Sequence, residues 1–193
     1  MTTIESGHGQ PVHEQFVEGF GTFRVIPVDP ARDAALLHAW VSEDRARFWG
    51  MRETTVEDVR EIYAHLDSLT THHAFMVHRD GEPVALFQTY EPEADRVSEC
   101  YEVEPGDLGV HLLIAPTAAP ERGFSTALVT VLKTYALTGR TRLVAEPDAA
   151  NEKAVGLLAR NGFEAGPEVV LPEIVLPEVH LEEKRARLLF LTR

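Results

Sequence analysis

Residues 106–163 read GDLGVHLLIAPTAAPERGFSTALVTVLKTYALTGRTRLVAEPDAANEKAVGLLARNGF, in which apolar residues alternate between strand-like and helix-like spacing. Residues 109–114 predict a buried strand that ends before Pro116. Apolar side chains then recur at helical spacing from Phe124 to Tyr135, and Gly139 is typical of the position that follows a helix. This half of the segment therefore predicts a strand followed by a helix.

The second half of the segment repeats that order. Residues 142–145 predict a short strand. Asp148 is placed to cap a helix, and Gly162 is placed at the C-terminal end of that helix. The apolar face of this helix holds Val155, Leu158 and Ala159.

The chain before this segment starts without a regular pattern. Residues 1–20 are polar with scattered Gly and His, which predicts a flexible arm. Residues 23–28 then predict a strand, and residues 33–41 predict a helix. The segment Thr54-Thr55-Val56-Glu57 resembles a capping box that opens a second helix.

Further strands are predicted on both sides of the segment. Residues 74–78 and 83–90 flank a turn with Asp80-Gly81 and predict a hairpin. Residues 169–175 and 187–191 predict closing strands.

The order of these elements predicts an α/β (α+β) fold, with a mixed sheet and helices on both of its faces. Residues 21–193 are expected to form one domain after the arm of residues 1–20. Leu-Pro-Glu occurs at 171 and again at 176, which favours an exposed or edge position for this part of the chain over a central strand.

Composition and charge exclude several classes of protein. The formal net charge of −13 argues against nucleic acid as a partner, since phosphate attracts basic surfaces. Residues 1–10 do not resemble a signal peptide, and no apolar stretch approaches the roughly 20 residues of a membrane span. Cys100 is the only cysteine, so we expect no disulfide framework, no cysteine-based zinc site and a cytoplasmic location. The histidines are scattered along the chain, so we expect no metal site. The acidic balance suits a cationic amine substrate, although a role in solubility alone stays open.

The turn Glu121-Arg122-Gly123-Phe124-Ser125-Thr126 precedes the first helix of the segment. A glycine turn at a helix N-terminus presents unpaired amides and a positive dipole end, which suit a phosphate. Many such turns hold a glycine for geometry alone, and that interpretation stays open on the residues by themselves.

Four segments of the chain resemble a known enzyme family. They are His38-Ala39-Trp40 with Arg45-Ala46-Arg47-Phe48-Trp49, Gly106-Asp107-Leu108-Gly109-Val110-His111-Leu112-Leu113-Ile114, Glu146-Pro147-Asp148-Ala149-Ala150-Asn151 running to Asn161-Gly162-Phe163, and Lys184-Arg185-Ala186. The order of elements resembles the GNAT acetyltransferase fold. The segments are similar to the siderophore acyltransferases of the aerobactin, mycobactin, alcaligin and desferrioxamine pathways, and most similar to the desferrioxamine branch.

The resemblance implies an acyl-CoA co-substrate, acetyl-CoA or succinyl-CoA. Leu112, Leu113 and Ile114 would run beside the pantetheine arm, and Asn151 would lie near the thioester. The pyrophosphate would be held by the amides of Arg122, Gly123, Phe124, Ser125 and Thr126. The usual GNAT loop begins with Gln or Arg, where this chain has Pro120, and ends with Gly or Ala, where it has Ser125. Arg122 is then left to supply the basic contact.

Within the resemblance, His111 is the candidate general base, because a neutral imidazole accepts a proton near pH 7. A strand amide near it would stabilise the oxyanion. Asp148 would orient His111 or hold the substrate, and helix capping is the alternative for its carboxylate. His38, Trp40 and Trp49 would line the acceptor tunnel, although tryptophans are more often core residues.

The reaction that the resemblance to the desferrioxamine branch implies is transfer of acetyl or succinyl to the hydroxylamine nitrogen of an N-hydroxy-diamine such as N-hydroxycadaverine. Acylation of N6-hydroxylysine remains open, with Arg45 or Arg47 as partner of its carboxylate. Acylation of an antibiotic or a ribosomal protein terminus also remains open, as does a catalytically silent acyl-CoA-binding domain. The expected partners are these small molecules, with no nucleic acid and no membrane, and the chain would be a monomer or a homodimer.

Overall fold

The structure is a computed structural model that describes residues 9–175 and 180–193. The chain divides into two compact units, and each takes residues from two separate parts of the sequence. The first comprises Met1–Gln88 and Leu112–Glu121, and the second comprises Thr89–His111 and Arg122–Arg193. That they form one domain over residues 21–193 stays a prediction. Within the described ranges, no helix has the length and apolarity needed to cross a bilayer.

The first unit is an antiparallel sheet with two helices. Its elements are strands β1 (His13–Val17) and β2 (Gly21–Pro27), helix α1 (Pro30–Val41), a 3₁₀ turn (Asp44–Trp49), helix α2 (Val56–Ser68), and strands β3 (His72–Arg79) and β4 (Glu82–Tyr90). The last two residues of β4, Thr89 and Tyr90, belong to the second unit. Strand β2 pairs antiparallel with both β1 and β3. One apolar core joins both helices to the strands, with Leu37, Trp40, Val59, Tyr63, Met76 and Leu86 among its buried side chains.

Strand β1 corrects the predicted arm. Residues 1–8 lie outside the described part, but His13–Val17 pair with β2 along their whole length. A turn joins the two strands, in which the Phe20 amide donates to the Val17 carbonyl at 2.9 Å. Half-buried and exposed side chains alternate along β1, which lies at the edge of the sheet. An edge strand buries little apolar surface, so its polar composition resembles that of a loop.

The capping box of α2 lies one residue later than predicted. The Thr55 hydroxyl accepts from the Asp58 amide at 3.1 Å, and the Asp58 carboxylate accepts from the Thr55 amide at 2.7 Å. Asp replaces the expected Glu at the third helical position, and its shorter side chain still reaches the cap.

The second unit is built around parallel and antiparallel strands. Its elements after β4 are two 3₁₀ turns (Pro92–Ala94 and Arg96–Glu99), strand β5 (Asp107–Ile114), helix α3 (Phe124–Ala136), strand β6 (Arg142–Ala145), helix α4 (Glu152–Arg160), and strands β7 (Glu164–Leu171), β8 (Ile174–Val175), β9 (His180–Leu181) and β10 (Lys184–Thr192). The first five residues of β5 belong here, and its last three belong to the first unit.

Strand pairing confirms the predicted mixed sheet with helices. Strands β5 and β6 are parallel, whereas β10 is antiparallel to both β6 and β7. Strand β7 is an edge strand, and Pro172 follows it, in keeping with the position predicted for the first Leu-Pro-Glu. The second Leu-Pro-Glu, at residues 176–178, lies outside the described residues.

Candidate active site

The register between β5 and β6 determines which residue lies beside His111. The parallel pairing sets Gly109 opposite Val144. Side chains alternate along a strand, so residues 109 and 111 share a face, as do residues 144 and 146. Continuing the register by two residues brings His111 next to Glu146.

Asp107 anchors the start of β5. Its buried carboxylate accepts two hydrogen bonds from the Arg142 guanidinium, each at 2.7 Å, and one each from the Tyr101 hydroxyl and the Glu104 amide, both at 3.0 Å. Burial by itself would raise the pKa of Asp107, but these donors, Arg142 foremost, lower it. A buried charge persists only when it is paired and hydrogen-bonded in this way. The Gly-Asp segment therefore fixes β5 against β6.

Gly109 leaves room for the ring of Tyr90. A Cβ atom at position 109 would overlap the carbon atoms of that ring. Tyr90 is 2% exposed, and its hydroxyl donates to Glu146 Oε2 at 2.8 Å. Burial, and then the charge of Glu146, raise the pKa of Tyr90 well above its usual value, so the phenol keeps the proton that it donates.

The other oxygen of Glu146 holds His111. Glu146 Oε1 lies 2.5 Å from His111 Nε2, which is shorter than an ordinary N–H···O hydrogen bond. The carboxylate is buried, whereas the His111 side chain is 34% exposed. The His111 and Tyr90 rings are also in contact, with centroids 5.0 Å apart. One buried carboxylate thus joins an enclosed phenol to a partly accessible imidazole.

Glu146 remains ionised at neutral pH. Burial by itself would raise the pKa of Glu146, but the charge and hydrogen bond of His111, the charge of Lys184 and the Tyr90 hydroxyl lower it to about 2. An ionised carboxylate accepts hydrogen bonds and donates none, so the proton in the short contact is carried by His111 Nε2. In the neutral imidazole, the lone pair then lies on Nδ1.

Asp148 makes different contacts from those predicted. Its carboxylate accepts from the Ala150 amide at 2.8 Å. The N-cap of α4 is Asn151, whose side-chain oxygen accepts from the Ala154 amide at 3.2 Å. The cap prediction for Asp148 is therefore wrong, and the carboxylate on the imidazole is that of Glu146. A role for Asp148 in holding substrate, and for Asn151 near a thioester, stays a prediction.

Glu146 and Tyr90 had no predicted role. Glu146 is 35 residues from His111 in the sequence, and Tyr90 is 21 residues from it. The signal that identifies Glu146 is its place just after the short strand at 142–145, once that strand is paired in parallel with β5.

The predicted phosphate turn is the N-terminus of α3. Gly123 is the N-cap residue with φ +86°, and the described structure gives this cap no side-chain hydrogen bond. The first turn of any α-helix has amides that the helix itself cannot pair, and the turn that follows Gly123 contains no acidic residue. Arg122 and Thr126 are exposed, and Ser125 is half-buried. These features suit an anion, and the binding roles of residues 122–126 stay predictions.

The segment predicted to run beside pantetheine lies in the first unit. Leu113 is buried in the core of that unit, whereas Leu112 and Ile114 are half-buried. The Ile114 carbonyl accepts from Arg45 Nη1 at 2.6 Å, and the Ala115 amide donates to the Val84 carbonyl at 2.9 Å. Pairing of this segment with a cofactor stays a prediction.

The three residues predicted to line the acceptor tunnel also lie in the first unit. His38 Nε2 lies 2.9 Å from the Thr54 carbonyl. Trp40 is 5% exposed within the core, and Trp49 packs against the same core and hydrogen-bonds Tyr63. Their contacts are those of core and turn residues, and contact with an acceptor stays a prediction.

Comparison with known proteins identifies the family. Residues 29–171, which are well over half of the chain, match the model of the acetyltransferase (GNAT) domain. The chain belongs to the GNAT acetyltransferase family. This GNAT protein is accordingly an acyl-CoA N-acyltransferase. A search of curated protein sequences finds no match to it.

Solved structures show the same fold. A protein from Bacillus halodurans superposes with a TM-score of 0.79 at 22% identity, with 93% of this chain and 89% of that chain covered. The aminoglycoside acetyltransferase AAC(6')-Ib in complex with coenzyme A gives a TM-score of 0.73 at 24% identity, with 89% and 95% covered. Spermidine N-acetyltransferase from Vibrio cholerae, in complex with CoA and spermine, superposes with a TM-score of 0.64 at 15% identity, with 88% of this chain and 95% of that chain covered.

Proposed function

We propose that this GNAT protein transfers acetyl or succinyl from CoA to the hydroxylamine nitrogen of an N-hydroxy-diamine, as a step in the synthesis of a hydroxamate siderophore. The observation that carries the proposal is the imidazole of His111, within β5, held by the ionised and buried carboxylate of Glu146, which directly follows β6. The resemblance of four segments to siderophore acyltransferases supports the choice of acceptor. The structural neighbours support the use of CoA, since two of those described above were solved in complex with it.

The proposed chemistry needs one base. The hydroxylamine nitrogen is less basic than an alkylamine, so it is largely neutral near pH 7 and ready to attack. Attack on the thioester carbonyl forms the C–N bond, and collapse of the tetrahedral oxyanion breaks the C–S bond. His111 takes the proton that the nitrogen loses, and the departing thiolate of CoA takes up a proton in turn. Base catalysis of this kind contributes about 10²- to 10⁴-fold to rate.

The charge of the chain favours a cationic acceptor. A formal net charge of −13 attracts the distal ammonium of a hydroxylated diamine and raises its encounter rate. The competing acceptor, N6-hydroxylysine, also carries a carboxylate. Arg45 and Arg47 were predicted as its partners, but Arg45 is already bonded to Glu43 and to the Ile114 carbonyl, and the Arg47 guanidinium lies over the Phe48 ring. These contacts favour the diamine.

A thiol-release assay tests the proposal. Acetyl-CoA, succinyl-CoA and a long-chain acyl-CoA are each combined with N-hydroxycadaverine, cadaverine, N6-hydroxylysine and lysine. We expect the highest kcat/KM for N-hydroxycadaverine with a short acyl-CoA. Equal rates on plain and hydroxylated amines would remove the siderophore assignment, and a preference for N6-hydroxylysine would replace the diamine. CoA binding without thiol release would indicate a silent binding domain.

His111→Ala tests the proposed base. We expect kcat to fall about 10²- to 10⁴-fold, because the proton acceptor is lost, while the dissociation constant for acetyl-CoA stays nearly the same. Turnover and isothermal titration calorimetry measure the two effects. His65→Ala is the matched control, since His65 is exposed on α2 and should leave both values unchanged. Unchanged turnover in His111→Ala would show that another group is the base.

A further inference from the structure

We infer that Glu146 is a positioning residue for this reaction, which holds His111 as the Nε2–H tautomer and balances the charge of the imidazolium formed during acyl transfer. The inference rests on the proposed role of His111 as base. It adds a residue to which the sequence segments and the family match give no role, and it names Nδ1 as the nitrogen that takes the proton.

The geometry between the two side chains carries the inference. Glu146 Oε1 and His111 Nε2 lie 2.5 Å apart, and the parallel register of β5 and β6 sets both residues on the same face. Glu146 is 4% exposed, so water does not compete for the carboxylate. An imidazole that donates Nε2–H to a fixed acceptor is held in one orientation and one tautomer.

Tyr90 holds the Glu146 carboxylate, and Gly109 leaves the space that the Tyr90 ring needs. The Tyr90 hydroxyl donates to Glu146 Oε2 at 2.8 Å, so each carboxylate oxygen has its own partner. The Tyr90 ring occupies the space that a side chain at Gly109 would fill. The carboxylate is therefore fixed from one side by a buried phenol and presents its other oxygen to the imidazole.

A purely structural role is the alternative. If the pair serves the fold alone, removal of one partner lowers stability, because it leaves the other group buried without a partner, and catalysis in the folded variant is unaffected. The two roles differ in what they change in a folded variant, since a positioning residue alters turnover and the tautomer of His111, and a structural pair alters neither.

The first experiment observes the tautomer in the wild-type protein, in the absence of substrates. Nitrogen-15 NMR of labelled histidine, with the His111 signals assigned by their loss in His111→Ala, distinguishes protonation at Nε2 from protonation at Nδ1. We expect the neutral His111 ring to be predominantly the Nε2–H tautomer. A predominant Nδ1–H tautomer would overturn the inference whatever the activity of any variant.

The second experiment compares Glu146→Gln, Glu146→Asp and Tyr90→Phe. In Glu146→Gln the amide can also donate to Nε2, so we expect a mixed tautomer and a fall in kcat on the order of 10²-fold, with KM for acetyl-CoA changed by less than about twofold. Glu146→Asp keeps the charge and should recover part of the activity. Tyr90→Phe frees one carboxylate oxygen and should lower kcat by roughly 10-fold.

Glu168→Gln is the control. Like Glu146, Glu168 accepts hydrogen bonds from two side chains, here Arg185 and Arg187, but its carboxylate lies exposed on β7. This variant should leave turnover and tautomer unchanged. Wild-type kcat and tautomer in folded Glu146→Gln would overturn the inference. If that variant does not fold, unchanged kcat in Tyr90→Phe would do the same.

Failure of the proposed function has a different signature. A wrong acceptor changes the ranking in the substrate panel but leaves the Glu146 effect visible on whichever amine reacts. A wrong base leaves kcat intact in His111→Ala, whereas the tautomer in the free protein still reports on Glu146.

Discussion

At the scale of single residues, replacing a glycine by alanine should have opposite effects on stability at two positions of this chain. Gly109 lies in β5 where the Tyr90 ring occupies the space of a side chain. Gly156 lies within α4, where a Cβ atom would meet only the Arg160 Nη1 atom, 3.1 Å away at the end of a flexible side chain. The two positions therefore form a matched pair for the same substitution.

Gly109→Ala should destabilise the protein by about 2–3 kcal/mol, because the added methyl group overlaps a buried ring that has little room to move. Turnover should also fall, since Tyr90 fixes Glu146. Gly156→Ala should instead raise stability by about 0.5–1 kcal/mol, because alanine loses less backbone entropy in a helix. Urea unfolding measures both changes. A neutral result for Gly109→Ala would show that Tyr90 can shift without cost.

At the scale of elements, helix α3 has a left-handed glycine on either side. Gly123 is its N-cap with φ +86°, and Gly139 lies three residues beyond its last residue with φ +72°. Left-handed backbone costs a residue with a Cβ atom roughly 1–2 kcal/mol, so alanine should cost about the same at both positions. Only Gly123 lies at the amides predicted to hold the pyrophosphate.

Gly123→Ala should weaken CoA binding about 10-fold or more, because a Cβ atom and a shifted first turn disturb the approach of the phosphates to the helix amides. Gly139→Ala should lose similar stability and bind CoA as the wild type does, since no atom lies within 4 Å of its added Cβ. Calorimetric titration with CoA separates the two. Equal CoA affinity in both variants would place the pyrophosphate elsewhere.

At the scale of the whole molecule, acidic residues set how stability depends on pH. The chain carries 31 Asp and Glu against 18 Lys and Arg. Most of the described carboxylates are not buried, so each contributes little to stability. Glu146 and Asp107 differ, because both are buried and both have a lowered pKa. A lowered pKa stabilises the folded state above the unfolded pKa, and this contribution is lost as pH falls through the folded pKa.

The pH dependence of unfolding should show this contribution. For Glu146 it is complete above about pH 4.5 and disappears as pH falls towards about 2. The shift corresponds to an order of magnitude of about 3 kcal/mol. The difference in unfolding free energy between the wild type and Glu146→Gln should therefore shrink by that amount from pH 5 to pH 2. Urea titrations at several pH values measure it, and a constant difference would mean that Glu146 is not ionised in the fold.

The sequence by itself determined the family and the order of nearly all helices and strands, because helical and strand periods, capping residues and turns are local features. Residues 142–145 were predicted with the bounds that β6 has, and α3 starts at the predicted Phe124. The sequence does not predict strand β1, because an edge strand leaves no apolar run, and it predicts Asp148 as the cap of α4 because Asp and Asn satisfy a helix end equally well.

Only the tertiary structure decided which groups surround His111. Glu146 and Tyr90 are far from it along the chain, and the pairing register of β5 with β6, with the absence of a side chain at Gly109, brings all three together. Local sequence carries no record of a parallel register, because the crossover between the strands separates their residues by the length of α3 and its loops. The motif is enough to predict His111 as a site residue, whereas its partner Glu146 can be identified only from the folded sheet.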